Sequence, residues 1–244
     1  LRERILRKDH RPHFVKKAYL GFQKFYADHF FRPQLESLGK GGFIIKPWHV
    51  EIFGSPVQIG DYAAVIATSD RKIRLSVWPA APGEGSIRIG DYVLICPGVR
   101  IGSAAEIVIG DGCMLASNSY ITDSDWHDVY DRNSIGKSAP VVLEENVWIG
   151  DSAIVCKGVT IGKNSIVGAG AVVVRSVPAD TVVAGNPARM VKSLDPGQPT
   201  VTRADWYADP EGLYEQLDLW DRAMLRENTV LGWFRSVVFP KKGD

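Results

Sequence analysis

Cysteine is scarce in this chain of 244 residues, which holds only Cys96, Cys113 and Cys156. The number is odd and none sits in a Cys-x-x-Cys pair, so neither a disulfide framework nor a zinc ribbon is indicated, and a reducing compartment is expected. Long apolar runs are missing as well. No stretch approaches the ~18 residues of a spanning helix, and no apolar h-region follows the opening LRERILRK. Excess charge of one sign is also missing. With 29 Lys and Arg against 28 Asp and Glu, there is no overall electrostatic case for a nucleic-acid binder. Histidine is limited to five residues, and His10, His13, His29 and His49 all precede the clearly repetitive part of the chain. A three-histidine zinc site cannot readily be built around the one that remains. A hydrophobic content of 45% with 23% charged residues excludes a mostly disordered chain.

What the sequence does contain is a repeat of six. Ile149, Val155, Ile161, Val167 and Val173 recur at constant spacing, and two residues before them stand Val147, Ala153, Val159, Ser165 and Ala171, all small or β-branched. Ile89, Ile95, Ile101 and Ile107 keep the same period upstream. Ile109, Leu115 and Ile121 resume it after an offset of two, and a weaker copy begins at Ile59 and Val65. One large aliphatic and one small inward residue per six suit one flat face of a triangular coil. Three such units make a turn, and stacked turns bury a ladder that no single coil could bury alone. A helix would need apolar spacings of three and four, and a sandwich would need hairpin turns at about every 8 to 12 residues. Neither pattern is present. The expected fold is an all-β solenoid, a parallel β-helix of hexapeptide repeats with helical N- and C-terminal flanks.

Two flanks lie outside the period. Residues 1–40 carry ten Lys or Arg and four Asp or Glu, and FVKKAYLGFQKFYADHFF places aromatics at helical spacing. This reads as a basic amphipathic helix that either caps the open solenoid end through Phe14, Leu20, Phe22 and Tyr26 or attaches to an anionic membrane surface. Beyond Leu194, DPGQPT reads as a linker. Asp209-Pro210-Glu211 then supplies an N-cap, a first-turn Pro and a first-turn acid for a helix to about Glu227. Between Ala204 and Asn228 stand seven acids and two bases, which suits packing against the basic stretch of the same chain or a neighbouring one. The expected organisation is a basic helical flank at 1–40, a β-helix domain at 41–194 with a loop at 122–140, and a linker with a helical flank at 195–244. That loop holds His127, the one imidazole within the repeats, and long loops on rigid scaffolds tend to carry function.

The loop segment DSDWHD, the block NVWIGDSAIVCKGVTIGKNSIVGAGAVVVRSVP and the closing VVAGNPARMVKSL resemble the left-handed β-helix acyltransferases, in particular the maltose, galactoside and capsule-sugar O-acetyltransferases. The likeness is strong from Ile109 to Leu194. It implies a left-handed coil, a homotrimer with active sites between subunits, and transfer of an acetyl group from acetyl-CoA to a hydroxyl of a sugar or surface-polysaccharide precursor, with no metal. His127 matches the family's general base. A hydroxyl attacks a thioester poorly until a base takes its proton, and an imidazole titrating near 6.5 suits that task at neutral pH.

The resemblance also points to further residues. Asn118 is a candidate to bind the acceptor or the oxyanion, or else it is a turn residue. Asp123 and Asp125 are candidates to orient the imidazole, and Asp123 and Trp126 to touch the acceptor, although a Trp folding the loop onto the coil is the plainer role. For coenzyme A, Trp148 matches the tryptophan beside the pantetheine arm, Gly168 and Ala169 open the backbone to that arm, and Arg175, Arg189 and Lys192 are placed to hold phosphates. One coil upstream the chain reads LICPGVRIGSA, without the side chains by which galactoside enzymes hold their sugar, so the acceptor does not carry over. The alternatives are N-acetylation of an amino sugar and a non-enzymatic trimeric scaffold in which His127 is idle. A cytoplasmic protein is expected, with peripheral contact at the inner membrane face through the basic flank and no nucleic-acid partner.

Overall fold

The computed structural model describes residues 8–79 and 83–241, so the first seven residues of the basic flank lie outside the described part. The chain divides into two compact units, Tyr26–Tyr207 and a second built from Leu1–Phe25 with Ala208–Asp244.

In the larger unit, successive short strands fall in turn on three sheets of six, eight and six strands among the described residues. Each strand pairs in parallel with one a full turn away. Ile107–Ile109 of the first sheet lies between Ile87–Ile89 and Val141–Leu143, and Trp148–Ile149 of the second lies between Met114–Leu115 and Ile166–Val167. In the third sheet, Tyr120–Thr122 lies between Arg100–Ser103 and Ile154–Val155. This is a three-sided coil, and the six-residue period is one side with its corner. The recurring aliphatics register above one another, Ile95 on Leu115 on Ile149 on Val167 and Ile101 on Ile121 on Val155 on Val173. All are buried, and each contributes at most roughly 1.5–3 kcal/mol of hydrophobic stabilisation. The offset of two at Ile107 and Ile109 also has a structural reason: both are buried, and they occupy the two inward positions of one strand.

The end of the coil is closed by different residues from those expected. Phe14, Leu20 and Phe22 are exposed, whereas Ala27 and Phe31, one and two turns further on, are buried, and Phe31 joins the core. Tyr26 is half-buried and packs edge-on against Trp48. At the other end the segment after Leu194 runs back along the corner between the first and second sheets. The Leu194 N–H donates to the Asp180 carbonyl, Arg203 Nε donates to the Tyr92 carbonyl at 2.5 Å, and Tyr207 is buried against Tyr62 and Tyr92. These contacts place the division between units after Tyr207.

The helices are α1 (His13–Tyr26), the single turn α2 (Arg203–Trp206), α3 (Pro210–Leu225) and α4 (Val230–Val238). Asp209 caps α3 by accepting from the Gly212 N–H at 3.0 Å. In the smaller unit the acidic helix lies against the basic one of the same chain, with His13 Nε2 at 3.0 Å from Asp218 Oδ1 and Lys16 Nζ at 2.6 Å from Asp221 Oδ1. Among the described residues no helix is long and apolar enough to cross a membrane.

Candidate active site

The loop that carries His127 leaves the third sheet after Thr122 and re-enters the first sheet at Val141. Its base is fixed by Asp123. Alternation along the strand turns this side chain inward, where it is fully buried. Oδ1 accepts from the Ala104 N–H at 2.6 Å, and Oδ2 accepts from the Ala105 N–H at 2.9 Å and from Ser103 Oγ at 2.7 Å. Its own carbonyl accepts from the Ala139 N–H across the loop neck. Both carboxylate oxygens are thus engaged by the preceding coil, so Asp123 neither orients the imidazole nor faces an acceptor.

Trp126 closes the loop onto the coil. Its backbone is left-handed, with φ 55°. Its indole N–H donates to Thr122 Oγ1 at 3.0 Å and to the Tyr120 hydroxyl at 3.1 Å. The ring lies across Gly102, where an added Cβ would stand 3.1 Å from Cζ2. These contacts pack Trp126 on the outer surface of the third sheet, where the residue is half-buried.

His127 is exposed, and its Nδ1 lies 2.9 Å from the Arg132 carbonyl. A carbonyl only accepts, so Nδ1 carries a proton, and in the neutral ring the lone pair is on Nε2, the tautomer a base requires. The expected orienter Asp125 is engaged elsewhere, its Oδ1 accepting from Lys157 Nζ at 2.5 Å. The ring is thus held by a main-chain carbonyl that no side-chain pattern announces. Gly136 was also missed. An added Cβ there would meet the His127 carbonyl at 2.5 Å and Asp125 Cβ at 2.9 Å, so the loop closes this tightly only with glycine.

Asn118 sits at the corner between the second and third sheets in the left-handed region, with φ 60°, stacked with Ser152 and Gly170 at the equivalent corners. It is half-buried and occupies the turn position anticipated as its alternative role.

The residues considered for coenzyme A divide between two places. Trp148 is 45% exposed on the outer surface of the second sheet, flanked there by Met114 and Ile166. Gly168 and the exposed Ala169 form the corner just beyond that sheet. Arg189 pairs across the terminal antiparallel strands with Ala184 and Lys192 with Val182, a register that requires the bulge between them. Paired residues share a face, so both cations point outward in line with Trp148. Arg175 lies elsewhere, on the turn after Val172–Val173 of the third sheet. The three cations do not form one cluster, because the corner between third and first sheets is opposite the second face of a three-sided coil. That same corner bears His127. Within one chain, the candidate base and the Trp148 surface are therefore on opposite sides of the coil.

Beside Trp148 is a groove of about 210 Å³ between the second sheet and the returning segment Leu194–Val201. One wall is an amide ladder in which Asn146 Nδ2 donates to Asn164 Oδ1 at 3.0 Å and Asn164 Nδ2 donates to Asp180 Oδ1 at 2.8 Å. Cys113 is buried beneath the coil surface, and burial pushes its thiol up to about 12. Among the described residues no His, Cys, Asp and Glu side chains gather as a metal site would need.

Residues 140–175 match the family model for the bacterial transferase hexapeptide (six repeats). Over 91 residues, 36% of this chain and 45% of the relative, the sequence is 35% identical to the galactoside O-acetyltransferase of Escherichia coli (strain K12). Over 56 residues, 23% of this chain and 24% of the relative, it is 54% identical to a 2,3,4,5-tetrahydropyridine-2,6-dicarboxylate N-acetyltransferase of Clostridium perfringens. The chain spans about half the length of the curated relatives it matches. Among solved structures, the N-acyltransferase AntD of Bacillus cereus, in complex with dTDP and coenzyme A, superposes with a TM-score of 0.52 at 17% identity, covering 78% of this chain and 96% of AntD. At that identity the likeness is one of fold. The coil is thus similar to the hexapeptide-repeat acetyltransferases, as its motifs indicate.

Proposed function

We propose that this protein is an acetyl-CoA-dependent O-acetyltransferase that acts on a hydroxyl of a sugar or surface-polysaccharide precursor, with His127 as general base. The observation that carries this reading is the bond from Nδ1 to the Arg132 carbonyl, which leaves Nε2 of an exposed imidazole as a proton acceptor. His127 takes the acceptor hydroxyl's proton as its oxygen bonds to the acetyl carbonyl, and it returns that proton to the departing thiolate. The products are an acetyl ester and the free thiol. The donor arm lies along the second sheet, where an exposed Trp148 on an apolar floor fits pantetheine and the outward Arg189 and Lys192 fit phosphates.

Because base and donor surface lie on opposite sides of one coil, the working form is a homotrimer of left-handed coils. His127 and Arg175 of one copy face the Trp148 surface of the next. The relatives' acetyltransferase activities support the reaction class, and the three free cysteines support a cytoplasmic location. A second reading is N-acetylation of an amino sugar; the relatives include an N-acetyltransferase, whose own printed substrate is 2,3,4,5-tetrahydropyridine-2,6-dicarboxylate.

The test is initial rate against pH for wild type and His127→Ala with an acceptor found by thiol release from acetyl-CoA. The variant is expected to lose about two to four orders of magnitude in turnover together with the acid limb of the profile, while calorimetric affinity for acetyl-CoA stays nearly unchanged. Near-normal turnover removes His127 as the base. Release of the acetyl group from the purified product by alkaline hydroxylamine distinguishes an ester from an amide.

A further inference from the structure

We infer that Lys157 is a positioning residue that clamps the segment 125–127 onto the coil and so sets where the imidazole of His127 stands; its kinetic consequence rests on the reading of His127 as the base. The corner 156–158 belongs to the coil that follows the loop, and it grips both limbs of the loop at once. On the outgoing limb Lys157 Nζ donates to Asp125 Oδ1 at 2.5 Å. On the returning limb the Gly158 N–H donates to the Ala139 carbonyl at 3.0 Å. Asp125 passes the first grip to the base through its main chain, since its carbonyl accepts from the His127 N–H at 2.6 Å and its N–H donates to the Lys137 carbonyl at 3.1 Å. A carboxylate held by the coil therefore holds the peptide group from which the imidazole projects.

Beyond His127 the loop has no comparable hold. Among the described residues, the hydrogen bonds of 128–134 close within the loop. The Asp128 carboxylate accepts from the Tyr130 and Asp131 N–H groups, the Asp128 N–H donates to the Ser134 carbonyl, and the Arg132 carbonyl faces His127 Nδ1. That turn travels with the imidazole and cannot anchor it. Trp126 pins the same segment through its indole, a packed contact that salt leaves alone. The Lys157 pair is partly exposed, at 31% and 39%, and salt screens it. A pair so exposed adds little to global stability. Local opening of a loop, however, draws on far smaller free energies than unfolding, and a group displaced by about 1 Å can lose about a hundredfold in rate. The effect of Lys157 is thus expected in turnover and loop opening, not in the unfolding midpoint.

The test compares wild type, Lys157→Met, Lys157→Arg and His127→Ala as full chains. Hydrogen exchange across residues 123–139, read by mass spectrometry, reports the clamp without reference to activity. Lys157→Met is expected to exchange about fivefold faster there and to lose about fivefold in kcat, with KM for acetyl-CoA and the urea midpoint unchanged. Lys157→Arg keeps the ion pair and is expected to restore both. Raising sodium chloride from about 50 mM to about 500 mM should bring wild-type kcat towards that of Lys157→Met and leave the variant nearly constant. The inference is overturned if wild type and Lys157→Met exchange alike, or if Lys157→Met turns over like wild type while His127→Ala is severely impaired. It is equally overturned if Lys157→Arg is as slow as Lys157→Met, which would deny the ion pair its role. Near-normal turnover of His127→Ala overturns the base reading instead, and the exchange data then decide the clamp.

Discussion

Replacing Asp123 by alanine separates a structural role from a binding role. The carboxylate is fully buried and accepts three hydrogen bonds, from the Ala104 and Ala105 N–H groups and from Ser103 Oγ. Alanine leaves these donors without their acceptor, and Ala104 and Ser103 are themselves buried. At about 1.5 kcal/mol for each bond to a charged acceptor, the loss is about 4.5 kcal/mol, a large share of the roughly 5–15 kcal/mol that holds a domain together. Asp125 provides the control in the same loop. Its pair with Lys157 is partly exposed, and its removal should cost no more than about 1 kcal/mol. Urea titrations followed by circular dichroism at one fixed protein concentration, needed for an oligomer, should show a large drop in midpoint for Asp123→Ala and almost none for Asp125→Ala. If Asp123→Ala unfolds at the wild-type midpoint and only raises the acceptor KM, the buried anchoring role is wrong and Asp123 is an acceptor ligand.

Three further outcomes follow from particular contacts. Gly102→Ala places a Cβ 3.1 Å from Trp126 Cζ2; it should lift the indole, expose the loop to proteolysis and lower turnover several-fold with acetyl-CoA affinity retained. Cys113, buried with its thiol pushed up to about 12, should resist alkylation in the native protein at pH 8 and react once the protein is unfolded, as counted by mass spectrometry. Asp9 is held below its ordinary range by the Arg11 hydrogen bond, and Asp218 by those from His13 and Arg222. A depressed folded-state value stabilises above the unfolded value and is lost as pH falls through the folded one. Helical content should therefore fall as pH drops below the ordinary carboxylate value of about 4, and Asp218→Asn should blunt that response.

The coil was legible because a ladder of six has a single physical cause, and Ile149, Val155, Ile161, Val167 and Val173 display it without interruption. Asp123 was legible in part. It follows the ladder residue Ile121 by two, and strand alternation sends it inward, but the run of acids in DSDWHD gives no reason to set one apart unless the alternation is carried past the end of the repeat. The partner of Asp125 is 32 residues away, on a corner of the next coil, and the Arg132 carbonyl that holds the ring belongs to no side-chain pattern. On the flanks, periodicity revealed that α1 is amphipathic without revealing which side is wet. Asp218 and Asp221 of α3 take His13 and Lys16 inward, and the phenylalanines are left outside.

The division of the candidate site between two sides of one coil leads to a test of assembly that needs no structure of the oligomer. His127 and Arg175 project from the corner between third and first sheets, while Trp148, Arg189 and Lys192 face outward on the second. If each site joins that corner of one copy to the second face of the next, His127→Ala and Trp148→Ala damage opposite halves. In trimers reassembled from equal amounts of the two variants, a site is intact when its corner comes from the Trp148→Ala chain and its face from the His127→Ala chain. With random assortment this holds for about a quarter of all sites. Turnover of the mixture, at saturating acceptor and after a denaturation and refolding step that exchanges subunits, should therefore rise from near zero for each variant alone to about a quarter of the wild-type value. A wild-type sample taken through the same step sets the recoverable maximum. A site completed within one chain allows no such recovery, so a mixture as inactive as its components, with exchange verified by mass, would refute the shared site and require the loop to reach its own second face.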